Sequence, residues 1–289
     1  MSDIVVAAER RNILGEGPLW DARAGKLWWV DIKGRRVEWI APADGGSGAF
    51  DVPVRPSALA TRGDGSLLVA SDQGFGVLDT RTGDFDVRQP LEPDRPGNRT
   101  NDGGTDREGR FWVGTMDDAE KASSGAFYRL DPDWTCHRLV DGMAIPNTVV
   151  TSPDGRTLYL ADSKEQTIYA WDLDEAGHLT RQREFVDTRG TDAYPDGSAV
   201  DAEGYLWNAQ WGAWLVVRYR PDGTTDRVVE LPVEQPSSCA FGGEDLKTLY
   251  VTSARVGLSD DALAGQPLAG SLFALSVDVP GLAVSDFAG

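Results

Sequence analysis

The chain is poor in the residue types that most catalytic and metal-binding designs rely on, holding two histidines and two cysteines among 289 residues. His137 in DWTCHRLV and His178 in EAGHLTRQ fall in outer-strand and turn segments, which excludes a Ser-His triad and a histidine-based metal site. Cys136 and Cys239 stand at unrelated positions, so two free thiols are expected, and neither is flanked as nucleophilic catalysis requires. No apolar run approaches the roughly 20 residues that span a bilayer. The opening MSDIVVAAERRN lacks the apolar segment and cleavage site of a secretory signal, so a cytoplasmic location is expected. Basic residues are also scarce, 28 against 46 acidic, and the net charge of −18 opposes binding to phosphate backbones or anionic lipid. Nucleic acid and membrane partners are therefore not expected, and no segment marks an obligate protein partner.

What the chain does have is 33 glycines, ten tryptophans and a repeat. The segments AGKLWWVD, DGSLLVAS, EGRFWVGT, DGRTLYLAD, EGYLWNAQ and DLKTLYVT each open an apolar strand at a tight turn, at Gly25, Gly65, Gly109, Gly155, Gly204 and Leu246. A recurrence of 40 to 49 residues is the period of a closed array of four-stranded units. The repeats run without a linker, so residues 1–289 are expected to form one all-β domain, a six-bladed β-propeller of four-stranded blades. The C-terminal SLFALSV lacks an outer partner within its own repeat. The N-terminal IVVAA is expected to supply that strand, closing the ring and covering an open sheet edge.

Eight or nine positions before each turn stands a polar or acidic residue: Glu16, Ser57, Asn101, Asn147, Asp196 and Ser238. If each repeat begins with its innermost strand, these residues converge on the central axis. Oxygen donors from Glu16, Asn147 and Asp196 then suit a hard divalent cation, Ca²⁺, Mg²⁺ or Mn²⁺, and are usable by Zn²⁺ or Fe²⁺. An axis that merely holds channel water is the other reading of the same residues. Arg99 lies two positions before Asn101 in GNRTNDGG and points to the same side of an extended segment, where the pair suits hydroxyl or carbonyl oxygens. MDDAEKASSG, between two strands of the third repeat, is placed by strand direction over the channel mouth, as a lid or an ordinary surface loop.

Taken together, LGEGPLWD, NRTNDG, GTM followed by SGAFYRLD, IPNTVVTSPDGRTLYLADS, YPDGSAVDAEGYLWNAQW and SSCAFGGEDLKTLYVTSAR resemble the gluconolactonase and senescence-marker-protein (regucalcin) family of six-bladed propellers, in its bacterial sugar-lactonase branch. The resemblance spans essentially the whole chain. It implies hydrolysis of an aldonolactone, such as a xylono-, arabinono- or gluconolactone, to the aldonic acid. It also implies one divalent metal, Ca²⁺ or Zn²⁺ foremost, on Glu16, Asn147 and Asp196, and substrate hydroxyls on Arg99 and Asn101. A further substrate contact is implied from the loop after GTM, which offers Asp117, Asp118 and Glu120, with Ala119 at the register of the acid; Glu120 is assigned that contact. Asp196 doubles as general base toward the attacking water. The alternatives are a non-enzymatic Ca²⁺-binding propeller and a metal-dependent esterase or phosphotriesterase.

Overall fold

Successive residues of the apolar runs point to opposite faces of a strand, and in this chain both faces are covered. In the strand Lys26–Asp31, Trp28 packs in one apolar cluster with Val69 and Leu78, while its neighbour Trp29 packs in another with Tyr250 and Leu272. The computed structural model, which describes residues 4–289, contains six such clusters, each lying between two adjacent four-stranded antiparallel sheets. Burying one Trp-sized side chain removes roughly 200 Å² from water, worth about 5 kcal/mol. The blades are thus glued at every interface, as expected for a six-bladed propeller.

Each blade starts at the axis. The inner strands are Gly15–Asp21, Pro56–Thr61, Asn98–Thr105, Pro146–Thr151, Tyr194–Val200 and Pro236–Gly242. They neighbour one another in that order and the sixth returns to the first. Left-handed backbone at the first turn of each blade explains the repeated glycine: φ is +61° at Gly25 and between +71° and +84° at Gly65, Gly109, Gly155 and Gly204. The sixth turn adopts the same conformation at Leu246, with φ +56°.

The ring closes as the sequence implied. Val5–Ala8 pairs antiparallel with Leu272–Ser276 as the outermost strand of the sixth blade. Two elements went unforeseen. A short helix, Asp260–Gly265, capped by Ser259, interrupts the sixth blade. The C-terminal segment crosses the face opposite the mouth, where Phe287 is buried between the second and third blades and Asp286 pairs with Arg23. No described helix is long and apolar enough to cross a membrane.

Candidate active site

A regular strand would alternate its side chains, but every inner strand carries a register slip at or beside the axial residue. The slips fall between Glu16 and Leu19, Pro56 and Ala58, Thr100 and Gly103, Asn147 and Val150, Pro195 and Ser198, and Pro236 and Ser238. Such bulges re-aim side chains. In the first blade the slip needs Gly17: its φ is +55°, and a Cβ there would come within 3.1 Å of the Ser57 carbonyl oxygen. In the fourth blade it forces a β-branched residue, Thr148, to φ +59°. Thr148 Oγ1 donates to the Asp196 carbonyl at 2.6 Å, which holds the strained turn against the next blade.

Glu16, Arg99, Asn101, Asn147 and Asp196 come together in one cavity of about 350 Å³. All five are less than one-tenth exposed. The two serine positions diverge from it. Ser57 Oγ donates to Thr100 Oγ1, and Ser238 lines a separate cavity of about 340 Å³ at the other end of the channel, beneath residues 282–285.

The mouth loop presents one of its three acids. Asp117 accepts backbone N–H bonds from Ala119, Lys121 and Ala122, which turns the loop. Asp118 is held between Arg55 (Nη1, 2.7 Å) and Arg99 (Nε, 3.0 Å). Glu120, at φ +57°, lines the cavity, so the acid falls one residue beyond Ala119. Lys164 Nζ donates to the Glu120 carbonyl at 3.0 Å, tying the loop to the fourth blade.

Hydrogen bonds divide the labour between Arg99 and Asn101. Arg99 Nη1 donates to Asn101 Oδ1 at 2.7 Å, while Asn101 Nδ2 donates to Asn147 Oδ1 at 2.8 Å and to the Pro146 carbonyl at 3.0 Å. Asn101 therefore braces Asn147, and among the described residues Arg99 Nη2 keeps its donors uncommitted.

The electrostatics show what the site is short of. Burial, followed by the charge of Asp102, pushes the Glu16 carboxyl up to about 8, with the Gly17 N–H and Arg99 only partly offsetting. Asp196 is pushed well above the usual carboxylate range by burial, then by Glu16 and Asp102. Asp102 itself rises to about 6 through burial, although it accepts from Gly103 N and Val149 N. Asp102 lines the cavity at the other end of the channel, not the one that holds its neighbour Asn101, yet its charge still raises both axial carboxyls, and no sequence signal marks it. Two buried carboxyls, Glu16 and Asp196, thus share the cavity with one buried guanidinium, itself paired with Asp118, while Lys33 and Lys164 line it from exposed positions; a divalent cation would offset the burial of the two carboxylates.

The donor set fits such an ion: two carboxylates and an amide oxygen, all hard donors. Among the described residues no three His, Cys, Asp or Glu side chains converge as ligands, and Asn147 offers an amide oxygen in the same cavity as Glu16 and Asp196. His137 and His178 pair with Asp131 and Asp174 away from the cavity, and both cysteines are free.

A pH dependence follows. A carboxyl whose folded pKa is raised holds its proton more tightly when folded, so the stability it contributes is lost as pH rises from the unfolded value toward the folded one. For Glu16 that window runs from 4.5 to about 8. Metal-stripped protein is expected to melt several degrees lower at pH 8 than at pH 5.5, and Ca²⁺ or Mn²⁺ should raise the melting temperature more at pH 8. Equal cation effects at both pH values would contradict this account of the cluster.

Comparison with known proteins adds to the geometry. Residues 14–255 match the family model described as the SMP-30/Gluconolactonase/LRE-like region. An L-arabinolactonase from Azospirillum brasilense is 43% identical over 288 residues, covering 98% of this chain and 94% of the relative. A 6-deoxy-6-sulfogluconolactonase from Pseudomonas putida is 36% identical, covering 96% of both. The crystal structure of regucalcin from Agrobacterium tumefaciens, described as a calcium-binding protein, superposes with a TM-score of 0.94 at 37% identity, covering 98% of this chain and 96% of that one.

Proposed function

The chain belongs to the SMP-30/gluconolactonase/LRE-like family, and on that premise we propose that it is a sugar lactonase, hydrolysing an aldonolactone to the aldonic acid with one divalent cation on Glu16, Asn147 and Asp196. The observation that carries the reading is the meeting of these three oxygen donors with Arg99 in a single cavity, where burial raises both carboxyls and the one buried guanidinium is shared with Asp118. The lactonase relatives supply the reaction class.

A cation held there supplies electrophilic polarisation of the lactone carbonyl and eases ionisation of a water. The chain's own groups do the rest. Arg99 Nη2 donates to a ring hydroxyl, and Glu120 accepts from another at the mouth. Asp196 takes a proton from the attacking water as the new C–O bond forms, then returns it to the ring oxygen as the acyl C–O bond breaks. Asp196 can accept that proton only when ionised, and opposing positive charge is what keeps so buried a carboxyl ionised.

The test is acid release from a panel of pentono- and hexonolactones, with a phosphotriester alongside, using metal-stripped protein resupplied with Ca²⁺, Mg²⁺, Mn²⁺, Zn²⁺ or Fe²⁺. Pentonolactones head the panel because of the L-arabinolactonase relative, and Ca²⁺ heads the ions because of the calcium-binding one. Hydrolysis is expected to vanish on stripping and return with the right ion. Rates equal to spontaneous opening with every ion would overturn the reading, and a preference for the phosphotriester would move the protein to the esterase class.

A further inference from the structure

Asn147 presents a problem that the ligand set alone does not solve. The oxygen and nitrogen of a carboxamide are nearly the same size, so packing does not decide which one faces the axis; hydrogen-bond polarity must. Only the oxygen can serve a cation.

The polarity is dictated from both ends of a hydrogen-bond chain that crosses three blades. At one end Arg99, which cannot accept, donates to Asn101 Oδ1 at 2.7 Å, and this commits Asn101 Nδ2 to donate to Asn147 Oδ1 at 2.8 Å. At the other end the Pro195 carbonyl, which cannot donate, takes the hydroxyl proton of Ser163 at 2.6 Å. Ser163 Oγ is left as an acceptor, and Asn147 Nδ2 donates to it at 2.7 Å. A flipped Asn147 would set two N–H donors against each other on the Asn101 side.

Resting on the metal reading above, we infer that Ser163 is a positioning residue, one that locks the Asn147 amide with its oxygen toward the cation and couples it to the backbone that carries Asp196. Ser163 is well placed for this. It is 5% exposed, its N–H donates to the Ile145 carbonyl at 2.9 Å, and it opens the short 3₁₀ turn Ser163–Glu165, for which Asp162 caps the N-terminus. Its bond to Pro195 lies one residue before Asp196, so one hydroxyl ties two of the three ligands together across a blade interface. Residues that orient ligands in this way commonly change cation affinity by 10- to 100-fold when removed.

The experiment is calorimetric titration of metal-stripped protein with Ca²⁺ or Mn²⁺, without substrate, so that binding is read apart from turnover. Ser163→Ala is expected to weaken cation binding about tenfold, whereas Ser163→Thr, which keeps the hydroxyl, should bind like the wild type. Should Ser163→Ala not fold, Ser163→Cys, a weak acceptor, takes its place. The deciding comparison is the Asn147→Asp background. A carboxylate presents oxygen whichever way it turns, so orientation no longer matters, and there Ser163→Ala should change affinity by no more than about twofold, within ordinary context variation. Equal losses in both backgrounds would mark a merely structural role and overturn the inference, as would unchanged affinity in Ser163→Ala alone. A wild type that binds no cation would overturn the metal reading and this inference with it.

Discussion

Asp196→Ala is expected to lower kcat/KM for any aldonolactone the protein hydrolyses by on the order of 10³-fold, because in the proposed mechanism the change removes a ligand and the proton acceptor together. The same substitution should make the metal-stripped protein more stable at pH 8. The Asp196 carboxyl is buried in one cavity with Glu16, and burial, then the charges of Glu16 and Asp102, make its ionisation costly to the fold. Opposite signs for activity and stability are the signature of a group retained for chemistry. Asp196→Asn separates its two roles. The amide keeps an oxygen donor but cannot take up a proton at neutral pH, so cation binding should persist while turnover falls. Unchanged turnover with the cation bound would remove Asp196 as the base and leave it a ligand only. Steady-state kinetics beside a thermal melt with and without the cation reads both.

Deleting the first ten residues is expected to lower the melting temperature of the whole protein by roughly 10 °C, corresponding to several lost hydrogen bonds and one ion pair in a domain of this size. Val5 and Val6 are largely exposed, so the strand contributes little apolar burial. Its contribution is closure. It pairs with the edge of Leu272–Ser276, and the chain just after it anchors the joint between the sixth and first blades. There Arg10 Nε meets Glu38 at 2.7 Å and its guanidinium lies 5.8 Å from the Trp29 ring centre. Without that strand Leu272–Ser276 loses its outer partner and the first blade loses its tie to the sixth, and blades held by mutual packing should separate in one transition. A melt in which the main transition stays put would show that the strand merely frays. Tryptophan fluorescence is a suitable probe, since Trp28, Trp29, Trp112 and Trp207 are buried at different blade interfaces.

The number of blades, the strand that closes them and the set of polar residues that could meet near the axis are legible in the sequence. Turn glycines and two-residue alternation are local properties, and a repeat displays them six times over, so a register error in one blade is corrected by the others. Even the sixth turn, where Leu246 stands in place of glycine, could be placed by its spacing. Glu16, Asn147 and Asp196 were found in this way, and so were Arg99 and Asn101. The tertiary structure alone decided which of these positions share a cavity, sending Ser57 and Ser238 elsewhere. It also decided that Asp102 lines the opposite cavity while its charge raises Asp196, that Asp118 braces Arg99 while Glu120 faces the cavity, and that Ser163 stands behind Asn147. The physical reason is common to all of them. Each depends on a β-bulge that breaks the alternation, on a left-handed residue in a loop, or on a hydrogen bond between blades, and the geometry of such features is set by neighbours that the ring brings together from distant parts of the chain.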